Sequence, residues 1–189
     1  MLAAPTSTCL NFPKADTRAT SLTVKIGTSG VLAVTYTAAA GATTDVTFVV
    51  TGYFAQGVSG ATYVSLVPNR IVNSSTALGV SSKLTAYVAR SFAVTGRVPS
   101  TSTKNVPTGS VAVTGTLTTT SSTAAGSLAL TTTANNHPTI PYLDFPKADT
   151  RSSGVTVTLG AGGILYVTYV GSAGATTQVS FDVTGYFVK

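Results

Sequence analysis

Few side chains in this chain of 189 residues could carry out acid–base, nucleophilic or metal chemistry. The acidic and imidazole groups are five aspartates and His137. A Ser-His-Asp triad would have to use His137, which lies in the turn-like run Asn135-Asn-His-Pro138 without a Gly-x-Ser-x-Gly motif. Zinc sites need several Cys and His, and calcium sites need clustered carboxylates, whereas these aspartates are scattered. We therefore predict a protein that is not an enzyme and that uses no metal or cofactor.

The one cluster with charges of both signs is Lys-Ala-Asp-Thr-Arg, which occurs twice. In an extended segment, residues i−2, i and i+2 share a face, so each aspartate lies beside a lysine and an arginine. Such a carboxylate could bind a ligand, but an Asp–Arg ion pair that fixes a loop against a sheet is the simpler interpretation. The residues of these predicted structural ion pairs are Lys14, Asp16 and Arg18, and Lys147, Asp149 and Arg151.

Both clusters belong to a long internal repeat. Residues 10–56 align without a gap with residues 143–189 at an offset of 133, with 28 identical positions among 47. We call residues 10–56 the N-terminal copy, residues 143–189 the C-terminal copy and residues 57–142 the middle segment. The repeat predicts a partial unit over residues 1–56 and a complete β-repeat unit over 57–189, with 57–142 as its first half and 143–189 as its second half.

The composition predicts an all-β fold. The chain has 36 Thr, 24 Val and 20 Ser and no Trp, and no segment predicts a helix. Alternating apolar residues predict an antiparallel, jelly-roll-like β-sandwich. Residues 22–26 and 31–37, like residues 155–159 and 164–170, flank short Gly-bounded loops and predict β-hairpins. Four further core strands are predicted where a Val-Thr-Gly run ends an alternating segment, at 47–52, 91–96, 110–115 and 180–185.

The blocks FPKADTR, VTY and GATTxVxFxVTGYF, together with the AVTG strand, resemble secreted bacterial β-repeat modules. Such modules occur in large extracellular and surface proteins of Actinobacteria and Chloroflexota-like bacteria. The resemblance covers essentially the whole chain and departs at residues 67–73, where the Asp-Thr-Arg block of the family is absent. It implies an extracellular or cell-surface protein in which the repeats are structural or adhesive and specify no catalytic activity.

The partial repeat suggests how such a chain would function. Four strands from residues 1–56 cannot bury a face alone, and their edges could pair with another chain. A heterologous contact that does not close makes a fibre. We therefore predict an extracellular structural building block that assembles head to tail with copies of itself, into a filament or surface array, by strand complementation. Alternatively, these strands pack on the middle segment, and residues 1 to about 133 form a circularly permuted domain.

A carbohydrate- or cell-wall-binding accessory module is the alternative function. Tyr63 and Tyr87 could stack on a glycan. The middle segment has five basic residues and no acid, which favours contact with an anionic cell-wall or surface glycan. These are Arg70, Lys83, Arg90, Arg97 and Lys104.

Other partners are not predicted. Nucleic-acid binding would need a denser basic stripe interleaved with aromatic residues. No run approaches the roughly 18 apolar residues of a membrane span. Cys9 aligns with Tyr142, which predicts a half-buried apolar position.

Overall fold

The computed structural model describes residues 5–57, 59–96 and 106–189. Every β-strand of these residues lies between Thr62 and Val188. The strands are β1 (Thr62–Asn73), β2 (Leu84–Thr85), β3 (Arg90–Ala93), β4 (Ser110–Thr120), β5 (Gly126–Thr131), β6 (Leu143–Phe145), β7 (Arg151–Thr158), β8 (Ile164–Gly171) and β9 (Thr176–Val188). Short 3-10 turns occur at Thr28–Gly30 and Ala161–Gly163. Within these ranges no helix is long and apolar enough to cross a membrane.

The strands form two antiparallel sheets that pack face to face, so the predicted β-sandwich is confirmed. One sheet has the order β1-β9-β4-β7, with β2 also paired to the start of β9. The other has the order β3-β8-β5-β6. Alternation explains the layers: Val179, Phe181 and Val183 of β9 are buried, while the residues between them are half-buried. Inward side chains from both sheets therefore form one core.

The two halves of the repeat unit interdigitate within each sheet. The C-terminal copy supplies β6 to β9, and the middle segment supplies β1 to β5. In the first sheet β4 lies between β9 and β7, and in the second β5 lies between β8 and β6. All the ladder partners found for β6 to β9 come from the middle segment. The C-terminal copy thus forms strands only because the middle segment fills the gaps between them.

The predicted hairpin at residues 155–170 is wrong. The two strands exist as β7 and β8, but they lie in different sheets. The turn between them is closed by hydrogen bonds from the Gly160 N–H to the Ile164 carbonyl (2.9 Å) and from the Gly163 N–H to the Gly160 carbonyl (3.0 Å). Before this turn β7 pairs with β4, and after it β8 pairs with β3 and β5. The Gly-bounded loop therefore carries the chain from one layer to the other.

The strands predicted in the N-terminal copy do not form. Residues 22–26, 31–37 and 47–52 carry no ladder, and the hairpin predicted around Thr28–Gly30 is absent. The reason is topological, since in the C-terminal copy the corresponding residues pair only with the middle segment. Of the other Val-Thr-Gly runs, 110–115 lies in β4 and 180–185 in β9, whereas β3 ends at Ala93 before the run is complete.

Candidate functional site

The N-terminal copy keeps the turn geometry of the C-terminal copy although it lacks a sheet. The Gly27 N–H bonds the Val31 carbonyl at 3.1 Å, as the Gly160 N–H bonds that of Ile164 at 2.9 Å. In the FPKADTR block, Ala15 has φ 61° and its counterpart Ala148 has φ 60°. Local sequence therefore sets the backbone at these turns, whether or not a sheet follows.

Side-chain contacts within each copy are repeated in the same way. The rings of Phe12 and Tyr36 stack with centroids 5.8 Å apart, as those of Phe145 and Tyr169 do at 5.6 Å. Arg18 Nε donates to Asp16 Oδ2 at 2.7 Å, and Arg151 Nε donates to Asp149 Oδ2 at 2.7 Å. The N-terminal copy is thus preorganised as the second half of a sandwich.

The difference between the copies is burial. Val34 is 68% exposed and its counterpart Val167 is 1% exposed, while Phe48 is 53% exposed and Phe181 is fully buried. The exposed apolar side chains whose counterparts lie in the core are Leu10, Leu22, Val24, Leu32, Val34, Tyr36, Val46, Phe48 and Val50. We call these nine residues the uncovered face. So large an apolar surface on one segment is typical of an interaction site.

An ion-pair network connects the two copies. Arg151 Nη2 donates to both carboxylate oxygens of Asp16, at 2.8 and 2.9 Å, and Arg151 Nη1 donates to the Thr17 carbonyl at 2.9 Å. The Asp16 and Arg151 side chains are only 14% and 13% exposed. Hydrogen bonds from Arg18 and then Arg151 lower the pKa of Asp16 from its ordinary value of 3.8. The Asp16 carboxylate therefore stays charged between two guanidinium groups.

The lysines of the two clusters do not join this network. Lys14 and Lys147 are exposed, and neither makes an ion pair with another described residue. Burial raises the pKa of the nearby Asp144 carboxyl. The positive charge of Arg151 partly offsets this rise. The charged groups of this network bind backbone carbonyls and connect the two copies.

Aromatic residues make a second contact between the copies. Phe54, at the end of the N-terminal copy, lies 6.4 Å from its own counterpart Phe187 by ring centroids. The ring of Tyr63 also packs on Phe187, with the two centroids 5.2 Å apart. Phe54 is 76% exposed. The junction between the copies therefore presents a partly open aromatic cluster.

Tyr63 and Tyr87, the predicted glycan contacts, are not brought together. The Tyr63 ring lies over Gly185, and its hydroxyl is 3.4 Å from Thr114 Oγ1. Tyr87 packs against the core and stacks on His137 at 4.8 Å. His137 is exposed in a turn, where its backbone N–H donates to Asn135 Oδ1. Cys9 is an exposed free thiol, so its predicted half-buried position is wrong, because the core that surrounds Tyr142 has no equivalent at residue 9.

The basic residues of the middle segment are dispersed. Arg70 makes a bidentate ion pair with Asp182 at 2.8 Å, and Arg90 donates to the hydroxyls of Ser81 and Ser82. Lys83 is exposed, and Arg97 and Lys104 lie outside the described residues. Among the residues described, no group of three or more His, Cys, Asp or Glu could hold a metal ion.

Sequence reasoning does not predict two features of this site. The spacing within Lys-Ala-Asp-Thr-Arg indicates the pairs Asp16–Arg18 and Asp149–Arg151, but nothing in it indicates that Arg151 also binds Asp16. The extent of the uncovered face is the second feature, because the sequence predicts strands in the N-terminal copy. Its signal is the repeat itself, since two second halves accompany one first half.

No protein-family model matches the chain, and no curated protein matches it.

Proposed function

We propose that this protein is an extracellular structural building block whose units join head to tail, into a filament or surface array, by strand complementation. The observation that supports this is the uncovered face. A segment with the turns and internal contacts of half a sandwich exposes to water the side chains that its duplicate buries. Full burial of one such side chain stabilises a protein by on the order of 1.5–3 kcal/mol.

The contact between the copies supports a head-to-tail arrangement. The N-terminal copy contributes the carboxylate of Asp16, and the C-terminal copy contributes the guanidinium of Arg151. The contact is therefore heterologous, since equivalent positions play different roles on its two sides. Here the contact joins the two copies within one chain; formed between chains, a contact of this kind would repeat from unit to unit instead of closing a symmetric dimer.

The test is a concentration series of the full chain, followed by sedimentation velocity and negative-stain electron microscopy. We expect larger species at higher concentration and filaments or sheets in the images. The double variant Val24→Lys, Phe48→Lys places charges on the uncovered face and should shift the series to monomers.

The matched control is Thr23→Lys, Thr47→Lys, which adds the same charges at neighbouring positions. In the C-terminal copy the counterparts of these threonines, Thr156 and Ser180, are not in the core. The control should therefore assemble like the unmodified chain. Monomers of the unmodified chain at every concentration would contradict the proposal.

Glycan binding is the second candidate function, and the exposed aromatic cluster of Phe54, Tyr63 and Phe187 favours it. Sugars stack on exposed aromatic faces, and this cluster lies at the surface where the copies meet. The test is retention of the chain on insoluble cell-wall polysaccharide. Tyr63→Ala should lower retention, whereas Tyr87→Ala, whose ring is engaged by His137, should not. If the unmodified chain and both variants all passed the polysaccharide without retention, glycan binding would be contradicted.

A further inference from the structure

We propose that the partner of the N-terminal copy is a polypeptide segment with the strand pattern of residues 57–142, that is, a further first half. This inference rests on the proposed function and names the strands that complete the uncovered face. The occupant of the same face is seen in this chain, because the middle segment covers the C-terminal copy. Each contact of the C-terminal copy with the middle segment therefore predicts a contact of the N-terminal copy with its partner.

In the C-terminal copy, one strand of the middle segment lies between each pair of neighbouring strands. In the C-terminal copy, β4 separates β9 from β7, and β5 separates β8 from β6. The counterparts of β9 and β7 are residues 43–55 and 18–25, and those of β8 and β6 are residues 31–38 and 10–12. A partner must therefore insert one strand into each gap, as β4 and β5 do.

Two glycines of the N-terminal copy have open space where their counterparts contact side chains of the middle segment. In the C-terminal copy, a Cβ at Gly185 would overlap the Tyr63 ring, and one at Gly163 would overlap the Thr95 side chain. Their counterparts Gly52 and Gly30 have no described residue within 4 Å of that position. The partner should therefore carry a tyrosine and a threonine at the places of Tyr63 and Thr95.

Aromatic residues of the N-terminal copy in turn require glycines in the partner. A Cβ at Gly115 would lie 2.7 Å from Cε2 of Phe181, and one at Gly126 would lie 2.7 Å from Cε2 of Tyr169. Phe48 and Tyr36 are the counterparts of these two rings. A partner with larger residues at both glycine positions could not approach the uncovered face.

Exchange of middle segments between units could join copies of residues 1–189, but it would leave one second half of each unit uncovered. Each chain has one first half and two second halves, and its first half is already paired with the C-terminal copy. If the N-terminal copy of one chain took the middle segment of another, it would release that chain's C-terminal copy. The number of uncovered second halves would not change. Burial of both second halves therefore needs a first half besides residues 57–142.

One position shows how this partner should differ from residues 57–142. Asp182 binds Arg70, but its counterpart in the N-terminal copy is Val49. An arginine opposite Val49 would have no carboxylate to bind. We expect an uncharged residue at the place of Arg70 in the partner.

The test is an extended chain in which a second copy of residues 57–142 is placed directly before Leu10 of the sequence 10–189. The native unit remains intact, and its protected amides report on its folding. We expect amide hydrogen exchange in residues 18–25, 31–38 and 43–55 to slow by at least about 100-fold, which corresponds to about 2.7 kcal/mol of protection. Unchanged exchange in these segments would overturn the inference.

The control is the same extended chain with Gly115→Val and Gly126→Val in the added copy only. These side chains should block the added strands, so residues 10–56 should exchange as in the unmodified chain. Equal protection in the control would also overturn the inference, because the fit would then be non-specific.

Failure of this inference and failure of the proposed function give different results. If the extended chain becomes protected but the unmodified chain never assembles, the partner is correctly named and the filament proposal fails. If the unmodified chain assembles but the extension gives no protection, assembly stands and this partner is wrong.

Discussion

Residues 10–56 and 143–189 have nearly the same sequence pattern and reach different structures. Both copies form the FPKADTR turn and the aromatic pair, and both form the 3-10 turn between their second and third extended segments. Only the C-terminal copy forms strands, because only it has β1 to β5 between and beside its segments. The comparison separates what local sequence determines from what tertiary partners determine. Turns need only the sequence, whereas ladders and burial need the other half of the unit.

The largest expected difference between the copies is at matched phenylalanines. Phe181→Ala removes a fully buried ring from the core and should lower the free energy of unfolding by about 3–5 kcal/mol. Phe48→Ala removes an exposed ring and should change it by less than about 0.5 kcal/mol. Urea unfolding at a concentration where the chain is monomeric measures both. Equal losses would mean that the N-terminal copy is already part of a core.

A smaller difference is expected at matched tyrosines. The hydroxyl of Tyr169, in a fully buried residue, donates to the Ala124 carbonyl at 2.9 Å. Tyr169→Phe leaves that carbonyl short of a donor and should cost about 1 kcal/mol. The hydroxyl of Tyr36 has no partner among the described residues, so Tyr36→Phe should leave the thermal midpoint unchanged. A shift of the midpoint in the Tyr36 variant would show a covered N-terminal copy.

The smallest effect is expected at the ion pair between the copies. The pKa of Asp16 is lowered by Arg18 and Arg151, so its charge stabilises the contact at pH values above the ordinary 3.8. This stabilisation is lost as the pH falls through the lowered pKa. Limited proteolysis of residues 10–56 at pH 7 and pH 3 should show faster cleavage at the lower pH.

Asp16→Asn should reproduce that faster cleavage at pH 7. Asp149→Asn is the matched control, because Asp149 binds Arg151 without reaching the N-terminal copy. A cleavage rate independent of pH, or equal cleavage of the two variants, would contradict a role for Asp16 in joining the copies.

Much of the fold follows from sequence because alternation reflects burial on one face of a strand. The predicted runs 110–115 and 180–185 lie within β4 and β9. The assignment of β7 and β8 to different sheets did not follow, because a glycine-bounded loop can close a hairpin or cross between layers. In the site, the spacing of two residues predicts the Asp16–Arg18 pair. The Asp16–Arg151 pair depends on how two segments 135 residues apart are placed, which no local pattern encodes.

Hydrogen–deuterium exchange of the unmodified chain, at a concentration where it is monomeric, tests most directly the claim that one copy is paired and the other is not. Amides of residues 151–158, 164–171 and 176–188 should be protected close to the global stability. Amides of residues 18–25, 31–38 and 43–55 should exchange near the rate of an unfolded chain. Equal protection of both sets would show that the N-terminal copy has found its strands within the same molecule, and would contradict the account.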